Sequence, residues 1–92
     1  MTIRWSSVAR DDVDRLVDFV AAADPIRAGE IELELSQAPK RLLDFPRRGS
    51  RLSEFDPREV REFRVEGYLL RYELAGSDNF VLRFFHARED RF

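Results

Sequence analysis

The last third of the chain restricts the fold most, because apolar and polar residues alternate there through three consecutive runs. The dipeptide Glu66-Gly67 separates the first two runs and suits a two-residue β-hairpin turn. Residues that lie opposite each other in such a hairpin share a face of the sheet. The pairs that this turn predicts are Val65 with Tyr68, Phe63 with Leu70, and Arg61 with Tyr72. We therefore predict antiparallel strands on both sides of the turn.

A second turn near residues 75–79 joins the second run to the third. A five-residue loop there keeps the apolar residues of the two runs on one side of the sheet. The pairs that it predicts are Leu74 with Phe80, Tyr72 with Leu82, Leu70 with Phe84, and Tyr68 with His86. One face is then strongly apolar, and we expect helices to cover it. The other, which we call the second face, carries Glu62, Arg64, Glu66, Leu69, Arg71, Glu73, Val81, Arg83 and Phe85.

The first half of the chain begins with a short alternating strand at residues 3–6 and continues with apolar residues at helical spacing. Ser6 or Ser7 can cap the first helix, because a serine hydroxyl accepts a hydrogen bond from a free backbone amide. Asp24 followed by Pro25 marks the start of a second helix, since proline suits the first helical position. We predict that the two helices form a hairpin.

The second helix is expected at residues 25–45. Residues 31–35 also alternate like a strand, but glutamate and leucine are good helix formers and poor indicators of a strand. Pro39 removes one backbone hydrogen bond, so we expect a kink or break near residues 35–38. Residues 46–58 contain two prolines and a glycine and are expected to form a loop.

These elements predict an α+β fold, in which a short N-terminal strand and a helical hairpin pack on a small antiparallel sheet. A chain of 92 residues can build one modest core, so we assign residues 1–92 to a single domain. The chain has no cysteine and one histidine, which excludes disulfides, thiolate zinc sites and sites of several imidazoles. We accordingly expect no metal ion and no cofactor.

Hydropathy and charge narrow the class of function further. No apolar run approaches the length of about 18 residues that a membrane span requires, and no signal peptide is evident, so we expect a cytoplasmic protein without a membrane partner. The net charge of −2 argues against direct, sequence-specific binding of nucleic acid. This average hides an asymmetry: residues 1–46 hold six basic and nine acidic residues, whereas residues 47–92 hold ten and nine.

Five short segments, in this order, resemble those of one protein superfamily. They are Trp5-Ser6 with Ala9 and Asp12, residues 42–49 (LLDFPRRG), 58–61 (REVR), 67–72 (GYLLRY) and 82–90 (LRFFHARED). The superfamily is RelE/ParE, the toxins of bacterial type II toxin–antitoxin modules. Each segment is weakly specific, but together they span nearly the whole chain. The resemblance implies the fold above and a cognate antitoxin, whose disordered segment folds on the toxin and holds it inactive.

Two activities occur in this superfamily. RelE-like members are ribosome-dependent mRNA endoribonucleases, and the resemblance assigns their acid–base and phosphate-binding roles to Arg64, His86 and Arg88. Leu69, however, stands where many of these enzymes have an arginine, and no tyrosine follows Arg88. ParE-like members generally lack a nuclease site and trap DNA gyrase on cleaved DNA. The sequence resembles this branch better, which implies a gyrase inhibitor; a nuclease and an inactive homologue that only binds antitoxin are the alternatives.

Two groups of residues are candidates for binding. For the target, they are Arg83, His86 and Arg88. For the antitoxin, an acidic amphipathic segment would suit the second face, at Leu69, Arg71, Val81, Arg83 and Phe85. Structural interpretations of the same residues stay open: His86 can pack against Tyr68, and the arginines of the sheet can pair with neighbouring glutamates.

Overall fold

A computed structural model describes residues 1–89 of the chain. Two helices cover one face of a five-stranded sheet: α1 is Ser7–Ala21 and α2 is Pro25–Gln37. The strands are β1 (Thr2–Trp5), β2 (Ser50–Arg51), β3 (Glu59–Val65), β4 (Tyr68–Ala75) and β5 (Asp78–His86), in the spatial order β1-β5-β4-β3-β2. The predicted α+β class is confirmed. Asp90, the last residue of the segment 82–90, lies outside the described residues.

Both predicted helix caps are present. The Ser6 hydroxyl accepts a hydrogen bond from the Ala9 amide at 3.0 Å, and the Asp24 carboxylate accepts one from the Arg27 amide at 3.0 Å. Each cap satisfies a backbone donor that the first turn of a helix leaves free. Neither helix of residues 1–89 is long and apolar enough to cross a membrane.

The second helix is shorter than predicted. It ends at Gln37, and a 3₁₀ helix, Ala38–Leu42, follows, because Pro39 cannot donate the backbone hydrogen bond that would continue the α-helix. The predicted break is therefore confirmed. The predicted loop at residues 46–58 contains two short elements, β2 and the 3₁₀ helix Ser53–Phe55, which are too short to show a periodic sequence pattern.

The sheet is mixed, where the sequence predicted an antiparallel one. The pairs β2–β3, β3–β4 and β4–β5 are antiparallel, but β1 runs parallel to β5. A parallel neighbour requires a long crossover in the chain. In the chain, the helical hairpin comes after β1 and before the remaining strands, so it forms part of that crossover.

The predicted register is correct for β3 and β4, and all three expected pairs are present. Between β4 and β5, the Tyr68–His86 and Leu70–Phe84 pairs are also confirmed. Beyond them the prediction is wrong, because an irregularity lies between Arg71 and Tyr72 and shifts the pairing. The observed pairs there are Tyr72 with Val81, Glu73 with Phe80, Leu74 with Asn79, and Ala75 with Asp78.

This shift moves Val81 from the second face to the helix-covered face. A β-bulge inserts one residue, and a change of register by one residue turns each side chain to the opposite face. Val81 is accordingly fully buried within the main core, opposite Tyr72 and Trp5. The predicted position of Val81 on an accessible second face is therefore wrong. The turn itself is two residues long, with Gly76 at a φ of +60°, a conformation that glycine adopts readily.

The Tyr72 hydroxyl fastens the segment before β2 to the sheet. It donates a hydrogen bond to the Pro46 carbonyl at 2.7 Å and accepts one from the Gly49 amide at 3.0 Å. A Cβ atom at Gly49 would lie 2.7 Å from this hydroxyl oxygen. The close approach explains why the position carries glycine.

Replacing Tyr72 with phenylalanine tests this contact. We expect Tyr72→Phe to lower the free energy of unfolding by about 1–3 kcal/mol, because the Gly49 amide and Pro46 carbonyl lose their shared partner. Urea denaturation followed by circular dichroism measures the change. Tyr68→Phe is the matched control, since the Tyr68 hydroxyl has no hydrogen bond within residues 1–89. Equal losses in the two variants would contradict the assigned role of Tyr72.

Candidate functional site

A groove of about 450 Å³ lies between α1 and the end of β5, and we call it the α1–β5 groove. The residues that line it are Arg15, Leu16, Phe19, Tyr68, His86, Arg88 and Glu89. Phe19 is 84% exposed, although it is a large apolar side chain. Exposed apolar surface beside charged groups is typical of a site that another molecule covers.

His86 is held from two sides at the end of the groove. Its ring packs edge-on against Tyr68, with 5.3 Å between the ring centroids. Its Nδ1 atom accepts a hydrogen bond from the Arg88 backbone amide at 3.1 Å. An imidazole that accepts through Nδ1 carries its proton on Nε2 when it is neutral. The packing of His86 against Tyr68 that the sequence suggested is thus confirmed, and the same residue lines the groove.

Asp12 of α1 is the most heavily bonded side chain near the groove. It is 4% exposed, and its Oδ2 atom accepts hydrogen bonds from Arg83 Nε at 2.7 Å and from the Phe84 backbone amide at 3.0 Å. Its Oδ1 atom accepts a further one from Arg83 Nη2 at 3.0 Å. This carboxylate joins the middle of α1 to both the backbone and a side chain of β5.

Arg15, one turn further along α1, continues the connection toward the end of the described chain. Its guanidinium pairs with Asp12 at 3.4 Å and with the Glu89 carboxylate. The second oxygen of Glu89 accepts a hydrogen bond from the His86 backbone amide at 2.8 Å. We call the four side chains Asp12, Arg15, Arg83 and Glu89 the Asp12 network.

The electrostatics of the Asp12 network favour the charged forms. Burial raises the pKa of Asp12, but the hydrogen bonds from Arg83 and the Phe84 amide, with the charge of Arg83, outweigh burial and hold the pKa below its ordinary value of 3.8. The hydrogen bond to Glu89 raises the pKa of Arg15, and the bond to Asp12 raises that of Arg83. All three groups are therefore ionised at neutral pH.

The three residues predicted for a nuclease are not all brought together. Arg64 lies opposite Leu69, which lies opposite Phe85, so these three belong to the second face. His86 lies opposite Tyr68 on the helix-covered face and lines the groove with Arg88. Arg64 thus projects from the other side of the sheet.

The second face is less open than the sequence suggested. Phe85 is 5% exposed, and the guanidinium groups of Arg71 and Arg83 lie over its ring at 5.1 and 4.8 Å. Arg71 also lies over the ring of Phe55 and pairs with Glu62 at 3.1 Å. Both arginines predicted to bind an acidic antitoxin here are already paired within the chain. Arg71 pairs with a glutamate of the sheet, as the structural interpretation anticipated, whereas Arg83 pairs with Asp12 of α1 instead. Leu69 remains on this face and is half-buried.

Sequence reasoning identified His86 and Arg88 but missed three other residues of the groove. Phe19 lies outside the apolar stripe of α1, and that mismatch is a signal that could have identified it. Arg15 and Glu89 are 74 positions apart, and nothing in the sequence links them. Within residues 1–89, no group of three or more histidine or acidic side chains is arranged to hold a metal ion.

Comparison with known proteins identifies the family of this chain. The sequence profile of a family described as "ParE toxin of type II toxin-antitoxin system, parDE" matches residues 3–91. The chain belongs to this family of ParE toxins. The toxin is also 30% identical over 90 residues to Toxin RelE1 of Caulobacter vibrioides, with 98% of this chain and 97% of that protein covered.

A solved structure, described as the chromosomal ParDE TA system from P. aeruginosa, has the same fold as this toxin. The match has a TM-score of 0.78 at 20% sequence identity and covers 94% of this chain and 95% of the other. The resemblance to the RelE/ParE superfamily is thus confirmed, and the toxin is one component of a type II toxin–antitoxin system. Membership of such a two-component system implies an antitoxin partner.

The buried carboxylate predicts a defined pH dependence of stability. A carboxyl group whose pKa is lower in the folded state stabilises the fold above its unfolded pKa, and this contribution is lost as the pH falls through the lowered value. We expect Asp12→Asn to reduce the free energy of unfolding by about 2 kcal/mol at pH 7, because it weakens charge-assisted hydrogen bonds. The difference from the unmodified toxin should shrink below about pH 4.

Urea denaturation at a series of pH values measures this difference. Asp11→Asn is the matched control, since Asp11 is an exposed neighbour on the same helix without an ion pair among residues 1–89. We expect Asp11→Asn to change the free energy of unfolding at pH 7 by no more than about 0.5 kcal/mol. A loss for Asp12→Asn that stays constant between neutral and acidic pH would contradict the role of the Asp12 charge.

Proposed function

We propose that this toxin acts in the cytoplasm by binding DNA gyrase and trapping it on cleaved DNA, and that its cognate antitoxin prevents this. The observation that carries the proposal is the separation of Arg64 from His86 on opposite faces of the sheet. Acid–base cleavage of RNA requires groups that converge on one phosphate. The groups that the superfamily resemblance assigned to cleavage do not all converge here, which supports an activity that depends on binding.

The α1–β5 groove has the features of a binding surface for a protein target. Phe19 offers exposed apolar area at one side. Arg88 lies at the other side, and no carboxylate within residues 1–89 pairs with its guanidinium. Aromatic residues, including phenylalanine, and arginine are both enriched in protein–protein interfaces.

The same groove suits the antitoxin. An amphipathic segment can place an apolar side chain beside Phe19 and a carboxylate near Arg88, since helices commonly bind grooves in this way. An antitoxin bound there would cover the residues that we assign to the target, and neutralisation would follow from that overlap. Arg71 and Arg83 of the second face, by contrast, already pair with carboxylates of the chain.

The similarity to Toxin RelE1 of Caulobacter vibrioides is the reason to test an mRNA endoribonuclease as the alternative function. His86 and Arg88 lie in one groove, so two of the three groups expected for an mRNA endoribonuclease are close together. A ribosome-dependent nuclease would produce codon-aligned mRNA cuts and would lose them when His86 or Arg88 is replaced. An inactive homologue would cause neither gyrase trapping nor mRNA cleavage.

Gyrase trapping can be measured with purified gyrase, supercoiled DNA and the toxin. We expect the toxin to stabilise double-strand breaks, and Arg88→Met to weaken this effect about tenfold, which corresponds to about 1.4 kcal/mol of binding free energy. Arg64→Met is the matched control, because Arg64 projects from the opposite face. It should leave trapping unchanged.

Sequencing of mRNA 5′ ends from cells that express the toxin provides the second arm of this experiment. Codon-aligned cuts without gyrase cleavage complexes would reject the proposed target in favour of the nuclease. Growth without arrest, with neither signal, would identify the inactive homologue.

Antitoxin binding can be tested with two exposed apolar residues of the helical hairpin. Phe19 and Ile26 are 84% and 81% exposed, but only Phe19 lines the groove. We expect Phe19→Asp to weaken binding of the cognate antitoxin by about thirtyfold or more, since an anchor residue of an interface can contribute about 2 kcal/mol or more. Ile26→Asp should bind normally in the same titration calorimetry experiment. Equal effects would place the antitoxin elsewhere on the hairpin.

A further inference from the structure

We propose that Arg15 is a positioning residue, which holds residues 86–89 in the arrangement that the target recognises. This inference rests on the proposed function, because it concerns the part of the groove that carries His86 and Arg88. Arg15 acts through Glu89, the side chain that it pairs with across the groove.

The geometry of Glu89 is the first step. Its two carboxylate oxygens have different partners: one bonds to the Arg15 guanidinium, and the other accepts the His86 backbone amide at 2.8 Å. A single carboxylate thus joins α1 to the last residue of β5. The backbone of the same segment adds hydrogen bonds from Ala87 to the Gly67 carbonyl and from Glu89 to the His86 carbonyl. The Arg15–Glu89 pair is the ion pair that connects this segment to a helix in the described chain.

The second step is that Arg15 is itself held in place. Its guanidinium also pairs with Asp12 at 3.4 Å, and Asp12 is fixed by Arg83 and by the backbone of Phe84. The orientation of the segment therefore depends on a buried carboxylate that is attached to β5. Because the Arg15 guanidinium is bound by two carboxylates, Arg15 and the segment it holds are ordered before a partner binds. Less conformational entropy is then lost on binding.

The exposure of the Arg15–Glu89 pair determines how much stability is lost when Arg15 is replaced. The side chains of Arg15 and Glu89 are 48% and 28% exposed. Ion pairs that are open to water contribute little to global stability. Loss of Arg15 should consequently loosen residues 86–89 without unfolding the protein, and this combination separates a positioning role from a purely structural one.

Charge gives the third step. While Arg15 binds the Glu89 carboxylate, the neighbouring Arg88 guanidinium has no carboxylate partner among residues 1–89. Without Arg15, a free carboxylate would lie one residue from Arg88 and would compete with an acidic partner for it. Arg15 thus keeps both the position and the charge of Arg88 suitable for binding.

The test compares Arg15→Met, Arg15→Lys and Arg10→Met in the full chain. Arg10 is the matched control, because it lies on the same helix, stacks over the Trp5 ring and has no carboxylate partner among residues 1–89. Amide hydrogen exchange measures the order of residues 86–89, and thermal denaturation measures global stability. Induced growth arrest and gyrase trapping measure activity.

We expect Arg15→Met to speed exchange at the His86 and Glu89 amides about tenfold or more, while exchange in β3 and β4 stays as in the unmodified toxin. Its potency should fall about tenfold. Arg15→Lys retains a cation and should restore both properties largely, and Arg10→Met should change neither.

Two results would overturn the inference: unchanged exchange at residues 86–89 in Arg15→Met, or faster exchange there with full potency. Growth arrest reports toxicity whichever target is bound. Arrest without gyrase trapping would therefore reject the proposed target, while the Arg15 variants would still test the positioning role by exchange and arrest.

Discussion

The buried carboxylate of Asp12 is the contact on which the arrangement of this toxin most depends. Strand β1 ends at Trp5, where it pairs with Val81, so within residues 1–89 the outer edge of β5 has no neighbouring strand beyond that point. Side chains take over there, because unpaired backbone groups of a strand need partners. The Ser6 hydroxyl donates to the Leu82 carbonyl at 3.0 Å, and Asp12 accepts the Phe84 amide. The start of α1 therefore completes the edge of the sheet, and this attachment places the rest of the helix beside residues 86–89.

The distribution of arginine partners explains why net charge was a poor guide to this surface. Arg83 and Arg71 are paired with carboxylates and lie over the Phe85 ring, so their charges serve contacts within the fold: Arg71 joins two strands, and Arg83 joins β5 to α1. Arg88 differs from them because Glu89, its neighbour in sequence, is bound by Arg15. A net charge of −2 averages over both kinds of arginine. What a partner meets is decided by which guanidinium groups lack an internal carboxylate.

Local signals account for what the sequence could predict. The turn at Glu66-Gly67 sets the register of β3 and β4, and serine and Asp-Pro caps mark the starts of the helices. The bulge beside Tyr72 has no comparable sequence signature, so Val81 was assigned to the wrong face. In the groove, the superfamily resemblance pointed to His86 and Arg88. The Arg15–Glu89 pair depends on the tertiary fold, because its members come from distant elements that only the packing of α1 on β5 brings together.

The structure also bears on how one small surface can serve two partners under the proposed function. An antitoxin that covers Phe19 and Arg88 need not distort the fold, since both side chains already face outward in the groove. The antitoxin and the target then compete for the same exposed side chains, and their relative affinities decide which one is bound. A catalytic site would instead require a converging set of acid–base groups, whereas Arg64 and His86 are separated by the thickness of the sheet. Under the proposed function, a groove whose Arg15 and Glu89 side chains are held by the Asp12 network is ordered before a partner binds, which reduces the conformational entropy lost on binding.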